Sequence, residues 1–444
     1  MDLNNYTLLC DFYELTMANG YFQTKYKDTI TYFDLFYRKN PDKGGFVICA
    51  GLESVIDYIK NLHFFDDDIE YLRSKGCFCE EFLDYLKDFT FTGDIYAVPE
   101  GTPVFPYEPI ITVRAKAIEA QLIETYLLLA INHQSLIATK ASRIVTSAKG
   151  RPVMEFGARR AHGPDAAIYG ARAAIIGGAI GTSCSISAKE FDVTVSGTMA
   201  HSWIQSFDSE YEAFKTYAEI YPNGCTFLID TYDTLNSGLV NAIKVSNEVL
   251  APLGARPVAV RLDSGDLAYL SKEARKMLDE AGYPNVGICL SNGLNEETIK
   301  SLIDQQAPFT SLGVGDNISA SKERLGGVYK LVAVEKDGII IPKIKVSEDS
   351  IKTINPGYKK LYRFYDKETG YALGDVLTLP NEIIDTDEYT LIDPNERWKT
   401  STIRNYIVRE LRVPIFINGK QVYNMPSIHE QKKYCEEEFK KIYL

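Results

Sequence analysis

From Pro152 onward the chain alternates short apolar runs with amphipathic helical stretches, and that alternation restricts the possible folds more than any other feature. The runs are PVMEFG, VTVSG, CTFLID, PVAVRLDSG, VGICLSNG and FTSLGVGD. Between them lie FDSEYEAFKTYAEI, LVNAIKVSNEVL, DLAYLSKEARKMLDEAG and NEETIKSLIDQQ, whose apolar residues recur at helical spacing. Strand, helix, strand at a spacing of about thirty residues implies parallel strands joined by right-handed crossovers. Roughly six or seven such units favour a closed barrel over an open doubly wound sheet.

The flanking segments read differently. Asp11 is placed to cap a helix carrying Phe12, Leu15, Ala18 and Phe22, with Tyr13 off that apolar stripe. Thr29 to Arg38 alternates as a strand and ends in Arg38-Lys39 and the turn PDKGG. Two helices follow (GLESVIDYIKNL and EEFLDYLKDF), then strands around GDIYAVPEGTPVFPYEPIITVRA, whose prolines belong at sheet edges or turns. A long helical stretch, AIEAQLIETYLLLAINHQSLIATKASRIVTSA, leads into the alternating region. After Gly326 a hairpin with Asp337-Gly338 at its turn, further strands and the helix EQKKYCEEEFKKIY complete the chain. The expected organisation is an α+β domain over 1–115, the barrel over 116–339, and a segment over 340–444 that returns mostly to the first domain.

Function is read from where the polar residues fall. Arg159, His201, Asp230, Arg261, Asp263, Asn292 and Asp316 all lie just past the end of an apolar run. In a parallel barrel the C-terminal strand ends share one face, and that face carries the active site. The stretch from Met154 to Trp203 gathers arginines, His162, His201 and glycines in a chain of net charge -12, which suits an anion, most simply a phosphate. Ordinary helix-capping turns with solvated arginines are the alternative. In VRLDSGD, Asp266 is placed to cap the next helix, leaving Asp263 to hold Mg2+ or sugar hydroxyls. SNG, with Asn292 and Gly293, and GVGD, with Gly313, Gly315 and Asp316, are turns whose amides can bind phosphate. His201 has Thr198, Ser202 and arginines near it in sequence, whereas His63, His133 and His429 carry no comparable group of neighbours. Phe156 beside Arg159 suits a flat aromatic substrate.

Composition narrows the partners. With 48 basic against 60 acidic residues and no long run of either sign, the chain fits neither nucleic-acid binding nor docking on an anionic membrane. No apolar run approaches a membrane span, and the N-terminal MDLNNYTLLCDFYELTM lacks signal-peptide architecture. The eight cysteines are scattered, and Cys77-Phe78-Cys79 lacks zinc-ligand spacing, so reduced thiols and a cytoplasmic location are expected.

Taken together, DFYELTMANGYF, FDLFYRKNPDKGGF, YAVPEGTPVFPYEPI, INHQSLIATKASRIV, MEFGARRAHGPDAAIYGARAA, GTMAHSW, SFDSEYEAF, DTYDT, VRLDSGDLAYLSK, GVG and GGVYKLVA resemble the nicotinate phosphoribosyltransferase family, in order and over nearly the whole chain. The resemblance implies an irregular, TIM-like α/β barrel packed against an α/β sandwich made from both chain ends. It implies formation of nicotinate mononucleotide and pyrophosphate from nicotinate and phosphoribosyl pyrophosphate in NAD biosynthesis, with Mg2+ and coupled ATP hydrolysis. By resemblance His201 is the residue phosphorylated by ATP. Phe156 and Tyr13 sandwich the pyridine, with Tyr13 supplied by the second subunit of a homodimer whose active site lies at the interface. Arg261 and Thr198 hold the nicotinate carboxylate. Arg159, Asn292, Gly293, Gly313, Gly315 and Lys330 bind phosphates, joined by Arg38 across the dimer. Asp263 holds ribose or metal beside the developing oxocarbenium. Ser183 stands where nicotinamide-using relatives carry an acid, which favours the acid substrate.

Two positions depart from the family pattern. Asp316 replaces a common hydroxyl residue, which makes side-chain phosphate binding there doubtful, and Ala158 replaces a common threonine. Which of Arg159 and Arg160 faces the ligand stays open. Nicotinamide or quinolinate as substrate, and a barrel that binds a phosphosugar or nucleotide without turnover, are the competing readings.

Overall fold

A computed structural model describes residues 5–345, 354–384, 387–393 and 396–442. The chain divides into two compact units, one formed by Met1–Leu136 with Glu323–Leu444 and the other by Ile137–Lys322. The first is built from both chain ends, as expected, but its limits differ from the expected 115/116 and 339/340. The reason is strand pairing. Gly327–Lys336 pairs antiparallel with Ile30–Tyr37, so the segment assigned to the barrel completes the sheet of the other unit. Ala117–Leu122 likewise packs on the N-terminal helix Phe12–Phe22.

The chain-end unit is organised on a seven-stranded antiparallel sheet. Its order is Ile339–Pro342, Gly327–Lys336, Ile30–Tyr37, Ile111–Lys116, Asp94–Ala97, Val413–Ile417 and Lys420–Gln421. Ile30–Tyr37 is buried along almost its whole length because both of its faces are covered. Phe33, Leu35 and Tyr37 join the main apolar core with Leu15, Val55 and Phe82. Tyr32 and Phe36 join a second cluster with Val332 and Ile354. Asp34 is tolerated inside because Lys359 pairs with it at 2.8 Å and the Thr112 hydroxyl donates to it at 2.6 Å. Three helices, Leu52–Asn61, Asp66–Ser74 and Glu80–Lys87, occupy the stretch read as two. Asp11 precedes the first helix without a side-chain capping bond. The long helical stretch is two helices, Ala117–Leu122 and Glu124–Ser147. Toward the C-terminus, buried Arg363 pairs bidentately with Asp375 (2.7 and 2.6 Å), and its Nη2 also donates to the Pro103 carbonyl at 2.8 Å.

The second unit holds a six-stranded parallel sheet in the order Gly181–Thr182, Val153–Glu155, Ser311–Val314, Gly287–Leu290, Ala259–Leu262 and Thr226–Leu228. In chain order the strands run round a ring, and the last, Ser311–Val314, closes onto Val153–Glu155. VTVSG is not a full strand. It contributes one parallel bridge, Val195 to Thr182, and among the described residues nothing pairs that segment with Thr226–Leu228. The ring is therefore an irregular α/β barrel with one seam. Helices Pro164–Ile176, Glu210–Ile220, Leu267–Glu280 and Glu296–Asp304 form crossovers between its strands. No helix among the described residues is long and apolar enough to cross a membrane.

Candidate active site

Parallel pairing brings the strand ends of the barrel unit to one rim, and the polar residues there bond to one another across several loops. Arg261, on Ala259–Leu262, is the hub. Its Nε donates to Ser291 Oγ at 2.9 Å, Nη1 to Thr198 Oγ1 at 2.9 Å and Nη2 to Asp263 Oδ1 at 3.0 Å. Its guanidinium carbon lies 5.7 Å from the centroid of the Phe156 ring. One cation thus ties three loops together beside an aromatic face.

Asp263 also accepts from the Ser291 hydroxyl. Its backbone N–H donates to Asp230 Oδ2 at 2.9 Å, and Ser264 Oγ donates to the same oxygen at 2.5 Å. Asp266 caps the next helix through the Ala268 and Tyr269 amides, as expected, which leaves Asp263 for the site. His201 opens the short helix His201–Gln205. Its Nδ1 lies 3.0 Å from Thr231 Oγ1, and its Nε2 lies 3.8 Å from Asp263 Oδ2.

Phe156 follows Val153–Glu155, and its N–H donates to the Val314 carbonyl at 2.8 Å. Gly313 was expected to offer its amide in a turn. It is instead a strand residue, and a Cβ there would stand 2.4 Å from the Phe156 ring, so its missing side chain makes room for that ring. Gly315 and Asp316 start the short helix Asp316–Ser319. Asn292 and Gly293 form a turn with φ of 90° and 60°. The Asn317 amide joins the two turns by donating to the carbonyls of Gly293 (3.1 Å) and Leu294 (2.9 Å).

The two arginines of EFGARR separate clearly. Arg160 pairs with Asp316 at 3.0 Å, both exposed, whereas Arg159 has no ion pair among the described residues. Ser183 is exposed, and its N–H donates to the Glu155 carbonyl at 2.9 Å.

Tyr13, Arg38 and Lys330 lie in the chain-end unit. There Tyr13 and Lys330 both act on Glu124. Burial raises that carboxyl above its ordinary value, against opposing hydrogen bonds from Gln121 and Tyr13 and the charge of Lys330. Arg38 is half-buried, with its Nε unpaired and its guanidinium 6.0 Å from the Phe36 ring. The same unit contains a cavity of about 380 Å3 lined in part by Glu100, Arg409, Tyr423, Glu430 and Tyr434. Its charged groups are used internally. Arg409 pairs with Glu438, Glu430 accepts from Ser427, and Glu100 accepts from the Gly51 and Leu52 amides.

Asp230, Thr231 and Ser291 complete the rim, and Glu155 is buried below it. Asp230 was visible as a strand-end acid, whereas Thr231, Ser291 and Glu155 lie inside DTYDT, SNG and MEFGARR but were given no role of their own. Among the described residues no group of three or more His, Cys, Asp or Glu is arranged to hold a metal. Asp230 Oδ1 is, however, buried without a hydrogen-bond partner, beside the loop of Asp263. Two carboxylates with one orphaned oxygen fit Mg2+, which takes few protein ligands and completes its shell with phosphate and water.

Comparison with known proteins identifies the family of the chain. The family model for nicotinate phosphoribosyltransferase (NAPRTase) matches residues 152–380, with its N-terminal domain at 8–132 and its C-terminal domain at 358–443. The chain is 41% identical to the nicotinate phosphoribosyltransferase of Bacillus subtilis, covering 98% of this chain and 90% of that protein. It is 34% identical to that of Caenorhabditis elegans, covering 97% and 87%. The crystal structure of human nicotinic acid phosphoribosyltransferase superposes with a TM-score of 0.87 at 28% identity, over 97% of this chain and 94% of that one. Nicotinate-nucleotide pyrophosphorylase from Pyrococcus furiosus gives 0.76 at 26% identity, over 99% and 96%. In fold, in domain order and in sequence from end to end, the chain belongs to the nicotinate phosphoribosyltransferase family.

Proposed function

We propose that the protein joins nicotinate to phosphoribosyl pyrophosphate, releasing nicotinate mononucleotide and pyrophosphate for NAD biosynthesis, with ATP hydrolysed at His201. The observation that carries this reading is Arg261 held by Thr198, Ser291 and Asp263 beside the Phe156 ring. A pyridine stacked on Phe156 can direct its carboxylate to a guanidinium already fixed in orientation, and the hydroxyl of Thr198 adds a second donor. Exposed Ser183 places no negative charge where a carboxylate substrate would meet it.

In the transfer step the pyridine nitrogen forms a bond to the anomeric carbon. The carbon–oxygen bond to pyrophosphate breaks, and the leaving group takes the bonding pair. Positive charge grows on the sugar as this happens, and the Asp263 carboxylate stabilises it. Arg159 and the amides of the turns at Gly293 and Gly315 receive the phosphates. Asp263 and the free oxygen of Asp230 would hold Mg2+, which would supply charge neutralisation to the pyrophosphate.

His201 is oriented for phosphoryl transfer because Thr231 occupies Nδ1 and leaves Nε2 toward Asp263. Nε2 forms a bond to the terminal phosphorus of ATP as the bond to ADP breaks, and water later cleaves the phosphohistidine. We further infer a homodimer in which the partner subunit's Tyr13 closes the pyridine pocket. Phe12, Tyr13 and Met17 are 49%, 45% and 39% exposed on one helix, an apolar surface suited to a subunit contact. Eight free cysteines fit a reducing, cytoplasmic setting.

The test is product analysis with nicotinate, phosphoribosyl pyrophosphate, Mg2+ and ATP, with nicotinamide and quinolinate as competitors. Mononucleotide formed with ADP from nicotinate supports the reading. Preference for either competitor overturns the choice of substrate, and ligand binding without product overturns the activity.

A further inference from the structure

Beneath the rim, one buried carboxylate joins three of the loops that carry proposed ligand-binding residues. Glu155 ends the strand Val153–Glu155 and is 1% exposed. Its Oε1 accepts from the Gly157 N–H and from Ser319 Oγ at 2.8 Å, and its Oε2 accepts from Thr182 Oγ1 at 2.6 Å. The Thr182 hydroxyl in turn accepts from the Cys184 N–H at 2.9 Å. The contact is close enough that a Cβ at Gly157 would lie 1.9 Å from Ser319 Oγ.

Burying a carboxylate is costly, and here its three donors are one amide and two hydroxyls, all uncharged. What the charge secures is acceptor capacity. Both oxygens accept, and a neutral amide side chain would turn an N–H group toward one of the donors. Each donor also fixes a different ligand-bearing element. Gly157 leads into Arg159, Thr182 into Ser183, and Ser319 ends the helix that begins at Asp316.

We infer that Glu155 is a positioning residue that sets the spacing between the pyridine side of the site, Phe156 and Ser183, and its phosphate side, Arg159 and the Gly315–Asp316 turn. The inference rests on the phosphoribosyl-transfer reading above. Removing the hub disturbs both substrates, whereas cutting a single spoke disturbs one.

Steady-state kinetics on the full-length enzyme separates these cases. Glu155→Gln should raise KM for both nicotinate and phosphoribosyl pyrophosphate about tenfold, the effect expected of one misplaced buried hydrogen bond. Thr182→Val should raise KM for nicotinate several-fold and leave that for the sugar donor within about twofold, and Ser319→Ala should do the reverse. A general loss of stability would not divide the two constants in this way. If Glu155→Gln does not fold, the two single-spoke variants decide the matter. Unchanged constants in folded variants, or equal changes for both substrates in Thr182→Val and Ser319→Ala, overturn the inference while wild-type turnover stands. Wild-type protein that makes no mononucleotide overturns the functional reading and this inference with it.

Discussion

The Nε2 atom of His201 stands 3.8 Å from Oδ2 of Asp263, and Nδ1 of the same ring lies 3.0 Å from Thr231 Oγ1. One nitrogen anchors the ring and the other is presented to an acid that also receives Arg261. His201→Ala should therefore keep ATP-independent turnover and lose stimulation by ATP, read as initial rates with and without ATP. Stimulation that survives in this variant would show that the phosphorylated residue lies elsewhere.

Gly313 gives the Phe156 ring its place. Adding one methyl group at 313, 2.4 Å from the ring, should displace the aromatic face. Gly313→Ala is expected to raise KM for nicotinate about tenfold, the loss of roughly one aromatic contact, while KM for phosphoribosyl pyrophosphate changes little. Equal effects on the two constants would mean that the strand, rather than the ring, had moved.

Asp316 places an acid at the proposed phosphate turn, partly offset by Arg160 at 3.0 Å. Both side chains are more than half exposed, so their pair adds little to stability. Asp316→Ser should lower KM for phosphoribosyl pyrophosphate about threefold at low ionic strength, with the gain shrinking as salt is added. A rise in KM would show that Asp316 assists binding by orienting Arg160.

Glu14 offers a pH-dependent readout in the chain-end unit. Burial pushes its carboxyl up to about 7, with Glu124 and Asp11 adding to the rise and hydrogen bonds from Thr125 and the Asp11 backbone opposing it. Its folded-state pKa exceeds the ordinary 4.5, so its favourable contribution is complete below that value and is lost as pH rises through 7. Glu14→Gln should therefore melt a few degrees above the wild type at pH 8, with the two curves converging near pH 4. Parallel curves across that range would show that Glu14 does not titrate in this window.

Much of the site was legible because its residues sit in compact strings at strand ends. VRLDSGD gave Arg261 and Asp263, and GTMAHSW gave Thr198 and His201. Glu155 was not legible, since a single acid closing an apolar run shows nothing of the hydroxyls it will meet from residues 182 and 319. Gly181–Thr182 is too short a strand to show periodicity, and Val195 is reduced to one bridge. The helix Asp66–Ser74 was missed although the three aspartates of its first turn suit a helix start. Gly327–Lys336 read correctly as a strand, but its partner, Ile30–Tyr37, lies some three hundred residues earlier, and local pattern does not identify a distant partner.

The seam in the barrel falls next to His201, the residue proposed to gain and shed a phosphoryl group. Amide bonds at Thr182 and Ser196 hold the approach to His201 on one side, and no ladder of the described residues binds it to Thr226–Leu228 on the other. On that flank the His201 ring meets Thr231 Oγ1 at 3.0 Å through side chains, while five parallel ladders fix the registers of the barrel strands.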